Sequence, residues 1–348
     1  MAGQLFREST KNMSHEQWLS YRSCGLGGSD ISALLGISSY KSPLELYLEK
    51  IGEHTPFQSD NRFTFFGNLH EDEIASLYQY WDGDMDSMIA NRKDAKKVNR
   101  VRSVNAFIHN PRYPQLFASI DRMILSNPKR QARKGILECK NTSSFVLRRY
   151  DGQIPYEYVV QVIGYLLVTG WDHASLAIEV DGNDYKVFPY ERTDSSTKDI
   201  MAEIERASAP FWSKVLRARI IKEEFGITSY YSLHPDTLKD PKIQEGVAML
   251  QELEPDIVND STTESFLSKI FKPEPLTIEG TQEIWKLAVD YLQSKENEGL
   301  AKKDKVHYSN LIKAEMKNTE RVDFEEAGSI TWKADSKGVR RFSVNIKN

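Results

Sequence analysis

Cysteine is scarce in this chain: Cys24 and Cys139 are the only two among 348 residues. Two thiols cannot build a disulfide framework, nor a four-thiolate zinc or iron–sulfur site. Long apolar runs are missing as well. No stretch is long enough to span a bilayer, and the N-terminal Met-Ala-Gly-Gln-Leu-Phe-Arg-Glu lacks the apolar core of a signal peptide. The expected setting is a reducing cytosol, cytoplasmic and without membrane attachment. An excess of positive charge is also absent, since 46 Lys and Arg face 50 Asp and Glu for a net charge of −4. That excludes a protein coated in basic surface and leaves room for a local basic channel. Neither an internal repeat nor a low-complexity tract occurs.

What is present reads as an ordinary folded chain, 40% hydrophobic and 28% charged. Its length allows one large domain with an appendage, or two domains. Positive charge is clustered in three places: Arg92, Lys93, Lys96, Lys97, Arg100 and Arg102; then Lys129, Arg130, Arg133 and Lys134; then Arg148 and Arg149. Each is consistent with a solvated face. Together they bracket the segments considered below, which is the pattern of a nucleic-acid surface.

Local signals give the order of elements. Ser14, with Gln17 three residues on, opens a capped helix. Gly25-Leu-Gly-Gly-Ser-Asp is a tight turn into a helix from Asp30 to Leu35. Ser42 caps another helix, with Pro43 at its first position. A helix from Gly67 carries Leu69, Ile74 and Leu77 at helical spacing. Strands are expected from about Val104 to Ile124 and from Gly135 to Lys140, joined by a turn at Ser126-Asn-Pro-Lys. A helix from Tyr156 to Val168, a hairpin of strands around Asp181-Gly-Asn-Asp, and a long helix from Lys198 to Lys222 follow. This order makes an α/β core. A boundary is expected at 222/223, and residues 223–348 form a mainly helical appendage. There, Gly280 to Asn297 and Lys303 to Lys317 read as an αα-hairpin, and the end as a β-hairpin across Ser336-Lys-Gly.

The most informative residues are Asp121, Glu138 and Lys140, in Phe117-Ala-Ser-Ile-Asp-Arg and Gly135-Ile-Leu-Glu-Cys-Lys. Side chains alternate along a strand, so Glu138 and Lys140 share a face. If the two segments pair, Asp121 joins them. Two carboxylates can hold a hard divalent cation through oxygen, with a lysine beside it, and that set hydrolyses phosphodiesters. The alternative on these residues alone is a solvated hairpin edge with cross-strand ion pairs.

Six segments in order carry a resemblance. They are Trp18…Arg22…Gly-Gly-Ser-Asp-Ile-Ser-Ala-Leu-Leu-Gly, Tyr-Lys-Ser-Pro-Leu-Glu-Leu, Gly-Asn-Leu-His-Glu, Ala-Ser-Ile-Asp-Arg, Leu-Glu-Cys-Lys and Gln161-Val-Ile-Gly-Tyr-Leu-Leu-Val-Thr-Gly. Over about residues 14–220 the chain resembles the YqaJ-like viral recombinases. These are phage exonucleases related to the lambda exonuclease, within the PD-(D/E)XK nuclease fold. One departure is that Asp121 follows Ile120 and not proline.

The resemblance implies a central mixed sheet flanked by helices, with Asp121, Glu138 and Glu71 as metal-binding carboxylates helped by the Cys139 backbone carbonyl. It implies Lys140 holding the attacking water and Gln161 fixing the water or a phosphate. On residues alone, Glu71 is an exposed helical glutamate, and Gln161 is a polar intrusion in an apolar stripe that needs a partner. Tyr165 reads as core. The resemblance implies Arg22 and Ser29 as a pocket for a terminal 5′-phosphate; the local alternative is a glycine-rich turn with Ser29 or Asp30 as a plain N-cap. Trp18 would stack on a nucleotide or belong to the core.

The implied activity is that of a 5′→3′ exodeoxyribonuclease on double-stranded DNA. It would release mononucleotides from 5′-phosphorylated ends and leave a 3′ single strand for a single-strand annealing protein. Mg²⁺, or Mn²⁺ in its place, is the ion for an all-oxygen ligand set; the resemblance implies two of them and a ring-shaped homotrimer of phage or prophage origin. An endonuclease of the same fold and a non-catalytic DNA-binding scaffold are the alternatives. An iron–sulfur branch of the fold is disfavoured by the cysteine count.

Overall fold

The computed structural model describes residues 5–53, 62–126, 134–150, 152–234, 236–256, 261–270, 281–316, 319–324, 328–334 and 340–346. The basic residues Lys129, Arg130 and Arg133, the turn at 127–129, Gly280, Lys317 and the turn at 336–338 lie outside them. The chain divides into two compact units, Met1–Lys272 and Pro273–Asn348.

The first unit begins with strand β1 (Phe6–Ser9) and helices α1 (His15–Ser23), α2 (Gly28–Leu34), α3 (Pro43–Lys50), α4 (Arg62–Tyr78) and α5 (Met85–Lys93). Strands β2 (Arg100–Ser103), β3 (Ala106–His109), β4 (Phe117–Ala118), β5 (Arg122–Ser126) and β6 (Gly135–Thr142) follow. Helices α6 (Ser144–Arg149) and α7 (Tyr156–Thr169) lead to strands β7 (His173–Val180) and β8 (Asp184–Glu191). Helices α8 (Ser195–Phe225), α9 (Pro241–Gln251) and α10 (Ser261–Ile270) complete the unit.

The main sheet has the order β2-β5-β6-β7-β8. Only β6 and β7 run parallel, and α6 and α7 make the crossover between them. The expected central mixed sheet with helices on both faces is therefore present. Alternation along β6 sorts its side chains. Ile136 joins the larger core with Val160, Ile163 and Leu167 of α7 and Ile204 of α8. Leu137 and Cys139 join the smaller core on the other face with Ile74 and Tyr78 of α4. A second sheet, β1-β3-β4, lies apart from the first.

The caps follow the sequence closely. Ser14 and Gln17 make both bonds of a capping box, and Ser42 caps α3 with Pro43 in the first turn. At the glycine turn the outcome differs from expectation. Neither Ser29 nor Asp30 is the N-cap; Gly27 is, and Asp30 sits three residues on with Oδ2 accepting from Gly27 N at 3.0 Å. The apolar stripe read in α4 is also shifted: Leu69 is exposed, while Ile74 and Tyr78 are buried.

The structure does not divide at 222/223. Ile227, Tyr230, Leu250 and Phe266 lie in the main core, and α9 packs on α8. A shift towards proline and acidic residues marked a change of composition, not the end of the core. In the second unit, the expected αα-hairpin is one helix, α11 (Gln282–Met316). Residues 298–302 contain no proline, and Gly299 alone costs a helix about 1 kcal/mol relative to alanine, which is too little to break it. Strands β9 (Arg321–Asp323), β10 (Gly328–Ala334) and β11 (Arg340–Ile346) form an antiparallel sheet in which β10 is central.

Candidate active site

The β5–β6 ladder ends at the pair Arg122↔Leu137. Beyond it the two strands diverge, and Asp121 turns into the gap. It lies in the bend just before β5 and not on a strand. Its Oδ2 accepts from Cys139 N at 2.8 Å, replacing the missing ladder bond. In a strand, the N–H and C=O of one residue leave from the same edge, so the Cys139 carbonyl faces this gap too.

Glu138 projects from β6 towards α7 and is 2% exposed. Its Oε1 accepts from Lys140 Nζ at 2.8 Å and from Gln161 Nε2 at 2.7 Å. Its Oε2 is buried without a hydrogen-bond partner. Gln161 thus has the partner its position demanded, and it also donates to Tyr165 Oη at 3.1 Å. Tyr165 is buried, as read from the sequence, and its hydroxyl belongs to this polar chain. A Cβ on Gly28 would come within 2.3 Å of the Tyr165 ring, so only glycine lets α2 close on the tyrosine.

Charge is crowded here. Burial pushes the Asp121 carboxyl well above its ordinary range, and the neighbouring charges of Glu138 and Glu71 push the same way. Burial also raises Glu138, against the pull of Lys140. Lys140 is raised in its turn: burial opposes its charge, but Glu138 and Asp121 outweigh burial. The Cys139 thiol is raised well above its usual value by burial and is chemically quiet. Two carboxyl groups pressed together, with one buried oxygen unpaired, form a site short of positive charge. Its donors are oxygens, which suits a hard divalent cation.

Glu71, expected as a further ligand, is turned elsewhere. Its Oε1 accepts from Arg122 NH1 at 2.6 Å, and Arg122 also pairs with Asp72 and donates to Asp121 O at 2.7 Å. Among the described residues no three His, Cys, Asp or Glu side chains converge as a metal-holding group. The structure brings together Asp121, Glu138, Lys140 and Gln161, and it keeps Glu71 beside them in an ion pair.

Arg22 and Ser29 are brought together as expected. Arg22 NH2 donates to Ser29 Oγ at 2.8 Å, with the guanidinium 4.8 Å over the Trp18 ring. Trp18 is half-buried between His15 and Phe107, so it serves as a prop for Arg22. This pocket adjoins the carboxylates, since Tyr165 feels the charges of Glu138, Asp121 and Arg22 together. Sequence reasoning missed what holds it. Asp30 Oδ2 pairs with Lys50 Nζ at 2.8 Å, both 1% exposed. Burial alone would raise Asp30, but Lys50, Arg22 and Lys41 outweigh it and hold the carboxyl well below its usual range. The available signal was Lys50 at helical spacing from Leu46 and Tyr47, a charge on an apolar face.

Residues 17–172 match the YqaJ-like viral recombinase domain. The uncharacterized protein YqaJ of Bacillus subtilis (strain 168) is 35% identical over 208 residues, 59% of this chain and 57% of that protein. The chain thus spans little more than half the length of that curated relative. Among solved structures, an alkaline exonuclease from Laribacter hongkongensis aligns over 60% of this chain and 98% of its own, at 17% identity and a TM-score of 0.43. A phage related exonuclease from Haemophilus somnus 129PT aligns over 57% and 98%, at 12% identity and a TM-score of 0.37. The stretch that is similar to the YqaJ-like viral recombinase domain, residues 17–172, includes Arg22, Ser29, Asp121, Glu138, Lys140 and Gln161.

Proposed function

We propose that this protein is a metal-dependent 5′→3′ exodeoxyribonuclease that resects one strand of linear double-stranded DNA from 5′-phosphorylated ends. The observation that carries the reading is the Asp121–Glu138 pair, with Glu138 Oε2 buried and unpartnered and Lys140 at its side. A structural ion pair needs no second carboxylate, and a bare pair of carboxylates is unfavourable away from water. Asp121, Glu138 and the Cys139 carbonyl would hold Mg²⁺ or Mn²⁺, two ions in this reading, with Glu71 at the margin. Such an ion supplies acidification of water and neutralisation of charge on the phosphate. Lys140 orients the attacking water with its ammonium. Gln161 fixes Glu138 and, through Tyr165, ties it to the glycine turn. Arg22 and Ser29 grip the terminal 5′-phosphate, a guanidinium being suited to bidentate contact with phosphate.

The products in this reading are mononucleotides and a 3′ single strand, which a single-strand annealing protein would take up in phage-type recombination. The resemblance supports a ring-shaped homotrimer, and the mass of the purified protein in solution tests it. The exposed apolar side chains of α11 are the proposed docking surface for the annealing protein. Digestion of linear duplex with and without Mg²⁺, on 5′-phosphoryl and 5′-hydroxyl ends, tests the whole. The reading expects stepwise release of mononucleotides that needs Mg²⁺ and favours the phosphorylated end. Internal nicks would make the protein an endonuclease, and binding without cleavage would make it a scaffold.

A further inference from the structure

The ion pairs around Asp30 have a composition that the Arg22–Ser29 pocket alone does not explain. Asp30 presents Oδ2 to Lys50 and Gly27 N, and Oδ1 to two other cations. Arg22 NH2 lies 4.0 Å from Oδ1 and Lys41 Nζ 3.9 Å from it. Lys41 also pairs with Glu49. Among the described residues, these pairs join three cations, Arg22, Lys41 and Lys50, to two carboxylates, Asp30 and Glu49. The group therefore carries one excess positive charge.

The three cations are not equivalent. The Lys50 side chain is 1% exposed and also donates to Arg22 O at 3.0 Å, so it locks the end of α1 to α2 and cannot meet a ligand. The side chains of Arg22 and Lys41 are 28% and 25% exposed. Both are held by the same carboxylate oxygen and both are open to solvent. Burial works against the Lys41 charge, but Asp30 and Glu49 outweigh burial and keep the ammonium protonated. Arg219, from α8, reaches the same region and is engaged by the backbone carbonyls of Ser23 and Lys50.

We infer that Lys41 is the second cation of the end-binding pocket, held there by Asp30, and that it sets the preference for a terminal phosphomonoester. The inference rests on the end-recognition reading above. A monoester carries about −1.5 to −2 at pH 7, whereas a diester carries a single charge. Removing either exposed cation takes the ion-paired group to neutrality and leaves Arg219, whose guanidinium is engaged by the Ser23 and Lys50 carbonyls, as the remaining positive charge nearby. Asp30 is a positioning residue: it touches no ligand and fixes where both cations stand.

The test uses the full chain in EDTA, so that binding is read without cleavage. Blunt duplexes bearing a 5′-phosphoryl or a 5′-hydroxyl group are titrated by fluorescence anisotropy. The wild type is expected to favour the phosphorylated end. Lys41→Gln should lose on the order of tenfold of that preference, the scale of one charge-assisted contact, and Lys41→Arg should keep most of it. Glu49→Gln, which frees Lys41 from its competing carboxylate, should raise the preference. That variant keeps the inference testable if Lys41→Gln folds poorly. An unchanged ratio of affinities in Lys41→Gln, or a reduced ratio in Glu49→Gln, overturns the role of Lys41. Absence of any end preference in the wild type removes both Lys41 and end recognition. Digestion of the same duplexes in Mg²⁺ is read separately: no cleavage, with end binding still dependent on Lys41, sinks the nuclease and leaves the pocket standing.

Discussion

Asp121→Asn separates a metal-holding carboxylate pair from a structural ion pair, because the two readings give opposite signs. In the protein without metal, Asp121 Oδ2 accepts from Cys139 N, and Glu138 Oε2 is buried with no partner. The Glu138 charge bears directly on the neighbouring Asp121 carboxyl. An amide at position 121 keeps an oxygen for Cys139 N and supplies a nitrogen donor for Glu138. A hydrogen bond to a charged group contributes about 1.5–3 kcal/mol, so the metal-free variant should be more stable than wild type by roughly that amount. For a chain of this size the shift in melting temperature is roughly 2–4 °C. The pH dependence has a definite sign. Asp121 and Glu138 titrate above their ordinary range when folded, so the folded protein holds protons that the unfolded chain releases. Wild-type stability is therefore fullest below the ordinary carboxylate range and falls as pH rises through the raised values. The variant should show a shallower fall. Mg²⁺ should raise the wild-type melting temperature by mass action and leave the variant nearly unmoved. Cleavage should be abolished. The measurements are thermal melts in EDTA and in Mg²⁺ from pH 5 to 8, with digestion of linear duplex alongside. A variant that melts lower than wild type in EDTA at neutral pH, or cleaves at the normal rate, refutes the reasoning.

Four further outcomes are expected. Glu138→Ala and Lys140→Ala should both be inactive and folded, with Lys140→Ala still showing the Mg²⁺-dependent thermal shift; turnover near wild type in either would remove that residue from the chemistry. Arg22→Ala should lose most of the preference for 5′-phosphoryl over 5′-hydroxyl ends, on the order of tenfold to a hundredfold in rate for one charge-assisted contact, and an unchanged ratio would make Arg22 structural. Asp30→Asn removes the nearest counter-charge of buried Lys50 and leaves it only Glu49 at 4.0 Å, a loss of about 3 kcal/mol in chemical denaturation; because the Asp30 carboxyl is held below its usual range, its contribution is full above the ordinary carboxylate range and disappears as pH falls below it, and a loss under 1 kcal/mol at neutral pH would contradict the buried pairing. Polar substitutions at Leu287, Tyr291, Tyr308 and Leu311, all exposed on α11, should weaken pull-down of the cognate annealing protein while the exonuclease rate stays near wild type; unchanged capture, or an equal loss of nuclease activity, would count against docking there.

What could be read from the sequence depended on whether the deciding interaction was local. The caps at Ser14 and Ser42 are set within three or four residues, and the structure reproduces both. Strand alternation was enough to place Glu138 and Lys140 on one face. The lone Gln161 in an apolar stripe announced a buried partner, which proved to be Glu138. Failures came where distant residues decide. On residues alone Glu71 reads as an exposed helical glutamate, and its ion pair with Arg122, on a strand 51 residues away, is not legible there. The Asp30–Lys50 pair joins α2 to α3 and overrides the simple capping role of Asp30. Residues 223–270 looked like an appendage because their composition shifts, while their burial depends on surfaces of α8 and α3 that a single segment cannot reveal. The break expected within α11 does not form, because the helix formers around Gly299 outweigh its cost.

These long-range contacts also fix the register of the proposed reaction. Ser29 and Arg22 meet at the start of α2, and Gly28, one residue away, lies against Tyr165. Tyr165 accepts from Gln161, and Gln161 donates to Glu138. The glycine turn is therefore mechanically continuous with the carboxylate pair. Gly164 on α7 extends this contact, since a Cβ there would come within 2.0 Å of Ile31 on α2. Two close helix approaches, one against the Tyr165 ring and one against the terminal methyl of Ile31, hold α2 to α7, and packed interiors resist sliding by even one methylene. A phosphate held by Arg22 would thus stand at a fixed distance from Glu138, which is what an enzyme needs if it measures its cut from a terminus. The same glycines look interchangeable in the sequence, and it is their opposing residues, Tyr165 and Ile31, that give them meaning.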